Sequence, residues 1–77
     1  MNKRRRQGLQ TLCGRICQHM EMLGEILYDE REAFGNVPEG LQESYQAARM
    51  ENAIDNLEDA YDALSDAVES IREVLNA

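Results

Sequence analysis

Hydrophobic residues recur along this chain at alternating spacings of three and four. In the first half Leu9, Cys13, Ile16, Met20, Leu23 and Leu27 form such a series, Leu12 and Ile26 widen it, and Phe34 extends it. In the second half Met50, Ile54, Leu57, Tyr61, Leu64, Val68, Ile71 and Leu75 keep the same alternation without interruption. A period near 3.5 residues places each series on one side of a helix, where it forms a seam against a partner helix. The second series also repeats as heptads, "AIDNLED", "AYDALSD", "AVESIRE", then "VLNA". With Ile54 at heptad position a, Ala53, Ala60, Ala67 and Val74 all fall at g, beside the seam. An apolar stripe wider than a and d suits a bundle with more than one neighbour.

Between the two series lies "REAFGNVPEGLQES", Arg31 to Ser44. Gly35 suits a left-handed helix end, Asn36 an N-cap, Pro38 a first helical turn and Glu39 the acid of a capping box. Val37 and Leu41 are apolar and available to close the bundle end with Phe34. The sequence thus predicts helix 1 over about 3–34, a turn at 35–37 and helix 2 over about 38–76, all in one domain spanning 1–77. Gly40 weakens the start of helix 2, which becomes regular only after Ser44. A short connection makes the helices antiparallel neighbours. The expected fold is therefore all-α, an antiparallel two-helix hairpin that assembles into a four-helix bundle or a larger helical oligomer.

Composition supports self-association. A chain of 77 residues, 43% hydrophobic with no Trp and one Phe, can build only a thin aliphatic core. Two cysteines and no Cys/His cluster suggest neither a disulfide framework nor a zinc site. No apolar run approaches the ~20 residues that span a bilayer. "MNKRRR" has the charge of a signal-peptide start, but "QGLQTLCGRICQ" behind it is no apolar core. A cytoplasmic protein with reduced thiols, without membrane or cofactor, is the expectation.

The net charge of −7 is unevenly spread. Residues 1–28 hold five basic and two acidic residues, a balance of +3; residues 29–77 hold three basic and thirteen acidic, a balance of −10. Antiparallel pairing sets Lys3, Arg4, Arg5 and Arg6 beside Asp66, Glu69 and Glu73, which selects register more than it stabilises.

Three groups of residues carry candidate chemistry. Asp55, Asp59, Asp62, Asp66, Glu69 and Glu73 form an acidic stripe that solvates helix 2 or docks a basic partner. Lys3 to Arg6 can grip phosphate, and Tyr28, Tyr45 or Tyr61 can stack a base. Together they define an alternative, a sponge for a small phosphorylated signal such as a cyclic nucleotide held between protomers. Duplex nucleic acid is not expected, because the rest of the chain repels phosphate. Cys13 and Cys17, one turn apart, read as small core residues, since His19 points elsewhere and zinc wants four ligands. No D-x-D-x-D-G loop is present for calcium. A lone histidine without a nucleophile–base pair argues against an enzyme.

The order "NKRRR", amphipathic helix, "EAFGNVPEGLQES" and "ENAIDNLEDAYDALSDAVESI" resembles short acidic helical-hairpin proteins of Firmicutes and of their phages and mobile elements. The likeness is tightest in "NVPEGLQES" and "AIDNLEDA". It implies a small accessory protein in the host cytoplasm, plausible as a phage counter-defence factor, and it transfers no site residues. The reading taken forward is a non-enzymatic oligomeric binding protein that engages a host protein through its acidic helical face. A purely structural assembly module is a further alternative.

Overall fold

The computed structural model describes all residues from Met1 to Ala77. Two long helices, α1 (Lys3–Gly35) and α2 (Tyr45–Asn76), flank a 3₁₀ turn at Glu39–Leu41. They pack against each other as a hairpin whose Cα extents are 59 × 15 × 14 Å.

Both helices start on a side-chain cap. The Asn2 carboxamide oxygen accepts the Arg5 N–H at 2.8 Å, and the Ser44 hydroxyl accepts the Ala47 N–H at 3.2 Å. Each satisfies one of the N–H groups that a first turn leaves without a partner. Helix 2 therefore begins at Tyr45 rather than near Pro38, as the weakness of Gly40 anticipates. Pro38 is extended at ψ 145°, and the Leu41 N–H folds back to its carbonyl at 2.8 Å.

Three expectations about the turn are corrected, the first being the capping box: Ser44 caps α2, so Glu39 lies in the 3₁₀ turn and is not the acid of that cap. No glycine has a positive φ, so Gly35 does not end α1 through the left-handed region. Asn36 is not an N-cap; it is the C-cap of α1, at φ −91° and ψ 0°, with its N–H donating to the Glu32 carbonyl at 3.1 Å. The connection has room to descend through the 3₁₀ turn, so a sharp left-handed reversal is unnecessary. Phe34 and Val37 are half-buried at the turn end, whereas Leu41 is exposed.

The seams meet as the spacing predicts. Cys13, Leu27, Ile54 and Val68 are buried, and Leu9, Ile16, Met20, Leu23, Met50, Leu57, Leu64, Ile71 and Leu75 are half-buried. Ala47, one heptad before Ile54, is the most covered residue at 1% exposure. Only five of 77 residues are buried, which is the thin core expected of one hairpin.

One long edge of the hairpin is closed by named contacts. With Cys13, Met20, Leu27 and Phe34 at a in α1, and Ile54, Tyr61 and Val68 at a in α2, Cys17, Gly24, Arg31, Glu58, Ser65 and Arg72 are e positions. Arg31 pairs with Glu58 at 2.6 Å, and an Arg72 N–H reaches the Cys17 sulfur at 3.8 Å. Between them a Cβ on Gly24 would stand 3.8 Å from the Tyr61 ring. The e edges of both helices thus lie together, which puts both sets of g positions on the opposite edge.

Candidate interaction surfaces

The heptad frame sorts every candidate residue onto a face. Asp55, Asp62 and Glu69 occupy b; Asp59, Asp66 and Glu73 occupy f. These positions point away from α1, and all six side chains are exposed. None forms an ion pair, the one in the hairpin being Arg31–Glu58. At 1.5 Å per residue the stripe runs about 27 Å along the back of α2. Like charges one turn apart oppose the helix, so the stripe carries a mild cost.

That geometry also corrects the expected pairing of the basic end. Lys3, Arg4 and Arg5 are exposed, and none of Lys3 to Arg6 pairs with Asp66, Glu69 or Glu73. The acids face outward at b and f while Arg6, at a, faces inward. The Arg6 guanidinium instead donates to the Leu75 backbone carbonyl in the last turn of α2. A helix C-terminus carries unpartnered carbonyls and partial negative charge, so an inward cation finds its acceptor there.

The tyrosines do not converge with the arginines within one hairpin. Tyr28 is 23 residues along α1 from Arg5, roughly 35 Å at the helical rise. Tyr45 is 80% exposed at the turn end, where the Arg49 guanidinium lies 5.9 Å from its ring centroid. Tyr61 sits in the closed edge opposite Gly24. Lys3 to Arg6 and the base-stacking candidates are therefore separate features of a single chain.

Cys13 is buried and Cys17 half-buried in the seam. No group of three or more His, Cys, Asp and Glu side chains gathers where a metal ion could be held. His19 is exposed on the g edge, apart from both thiols. No buried side-chain nitrogen or oxygen lacks a hydrogen-bond partner. No helix is long and apolar enough to cross a membrane.

A fourth surface joins the g positions of α2, whose alanines the sequence already marks, to apolar residues of α1. On the g edge and the adjoining c positions, α1 presents Leu12, Met22 and Ile26 at 44%, 58% and 52% exposure, with the exposed His19, Arg15 and Asp29 on the same face. Beside them α2 presents the half-buried Ala53 and the exposed Ala60, Ala63 and Ala67, with Val74 at 43%. The signal was available in the charges. From Ala53 to Asn76 the acids are Asp55, Glu58, Asp59, Asp62, Asp66, Glu69 and Glu73, and none falls at g or c. No known protein family, curated protein or solved structure matches this chain.

Proposed function

We propose that the protein is a non-enzymatic interaction module that works as a homo-oligomer and docks a basic partner protein on the outer acidic stripe of α2. The observation that carries this reading is the stripe itself: six exposed carboxylates in one line, none paired within the hairpin. A field of one sign along a rigid rod attracts an oppositely charged surface and accelerates encounter, more so at low salt. The resemblance to accessory proteins of phages fits such a role, with a host protein as the target. Capture of a small phosphorylated ligand is the weaker reading, because Lys3 to Arg6 and the tyrosines lie apart on each chain.

Quantitative pull-down with the wild type and with Asp55→Lys, Asp59→Lys and Asp62→Lys combined tests the docking face. The captured proteins should carry basic surfaces, and the triple variant should retain less than about a tenth of them. Equal capture of every partner by the two proteins rejects the acidic stripe as the docking face.

A further inference from the structure

We propose that the g and c face is where a second copy of the chain docks, with α1 of each hairpin lying over α2 of its partner. This inference rests on the reading of the protein as an oligomer and specifies how that oligomer is built.

The face is complementary to itself in volume. The face is divided lengthwise, with large side chains on α1 (Leu12, Met22, Ile26) and small ones on α2 (Ala60, Ala63, Ala67). A twofold interface brings the same patch to both sides, so a ridge beside a groove complements itself only when each ridge enters the other's groove. A twofold axis running along the rod, in the interface plane, achieves this and keeps each residue at its own height. The closed edge pairs Arg31 with Glu58 and Cys17 with Arg72, which sets Ile26 level with Ala63 and Met22 level with Ala67. Ile26 of one hairpin then faces the partner's Ala63, and every helix is antiparallel to its neighbours, as in a four-helix bundle. An axis across the rod would instead oppose α1 to α1 and α2 to α2. Bulk would then meet bulk on one side and leave a gap on the other.

Charge agrees. The acidic helix meets the helix whose first 28 residues are net basic, whereas the crossed arrangement brings two acidic helices together. The seven acids between Ala53 and Asn76 stay at b, e and f, outside the contact. The Cα outline of the face is 59 by 15 Å, and its apolar stretch from Ala53 to Val74 takes up about 32 Å of that length at 1.5 Å per residue.

The axis also sets both turns at the same end, and two measurements test it. A nitroxide at Gly40→Cys, where an added side chain meets nothing within 4 Å, reports the turn-to-turn distance. The label is read in a Cys13→Ala, Cys17→Ser background whose mass matches the wild type. A separation under about 30 Å, the width of a bundle with helices 8–10 Å apart plus the labels, supports the arrangement. A separation near the 59 Å rod length overturns it. Separately, Ile26→Asp should raise the dissociation constant of the dimer at least ~100-fold, because the twofold presents each change twice. Gln18→Asp, on the outer side of α1, should leave it within about threefold. Equal dimerisation of Ile26→Asp and wild type, or a wild-type mass other than two chains, overturns the inference. The Asp55, Asp59 and Asp62 reversal should still dimerise, so loss of partner binding and loss of assembly are read independently.

Discussion

Arg31 and Glu58 meet at 2.6 Å across one edge of the hairpin, the one ion pair among eight basic and fifteen acidic side chains. Their meeting fixes which edge of each helix faces the other, and so which face of the molecule is left uncovered. Both side chains remain about half exposed, so water screens the attraction. A double-mutant cycle of Arg31→Gln and Glu58→Gln, read by urea unfolding, should give a coupling of ~0.2–1 kcal/mol. That coupling should shrink at 1 M salt, where the screening length is about 3 Å. A coupling above ~2 kcal/mol would mean that the pair is dehydrated by something the isolated hairpin lacks.

Ser44 caps α2, so its hydroxyl contributes where Asn36 does not. Ser44→Ala should cost ~0.5–2 kcal/mol by removing the acceptor for the Ala47 N–H. Asn36→Ala should stay within about 0.5 kcal/mol, because its contribution at the end of α1 is a backbone bond that alanine keeps. Chemical denaturation of the two variants side by side checks both. The opposite order would restore a helix start near Pro38.

Three glycines lie inside α1, Gly8, Gly14 and Gly24, and the hairpin needs none of them. At Gly14 a Cβ meets nothing within 4 Å, and at Gly24 it meets the Tyr61 ring at 3.8 Å, an ordinary contact. Gly14→Ala and Gly24→Ala should each stabilise the protein by ~0.5–1 kcal/mol, since alanine loses less chain entropy in a helix. Thermal unfolding at fixed protein concentration reads the gain. Destabilisation by Gly24→Ala would show that the closed edge has less room than its 3.8 Å implies.

Arg6 ties the start of α1 to the end of α2 through the Leu75 carbonyl. Arg6→Gln should fray the last turn of α2, raising amide exchange at Val74 to Asn76 while leaving Ile54 to Leu64 protected. Unchanged exchange in that turn would show that the guanidinium does not hold the helix end.

The seams were legible because burial repeats with the helix period. The a and d residues are covered except Tyr61, which lies at the closed edge beside Gly24, whereas Leu12 and Ile26, expected to widen the seam, are exposed. Ala47 escaped because alanine carries no weight in a hydrophobic pattern, although its position one heptad before Ile54 was visible. Asn36 misled because the same residue suits either end of a helix, and only the backbone decides which. The acidic stripe was legible as a line, but its isolation from Lys3 to Arg6 was not. Charge balance along the sequence cannot tell b and f positions, which face outward, from the inward position of Arg6. The uncovered apolar face required knowing that the e edges meet, a relation that Arg31, Glu58, Cys17 and Arg72 reveal together.

Oligomerisation is the premise shared by the docking proposal and the pairing of faces. Native mass spectrometry of the full chain at low micromolar concentration tests it most directly. The account predicts a species of twice 8.8 kDa for the wild type and for the Asp55, Asp59 and Asp62 reversal, and a single chain for Ile26→Asp. A wild-type protein that stays at 8.8 kDa at tens of micromolar while fully helical would contradict it.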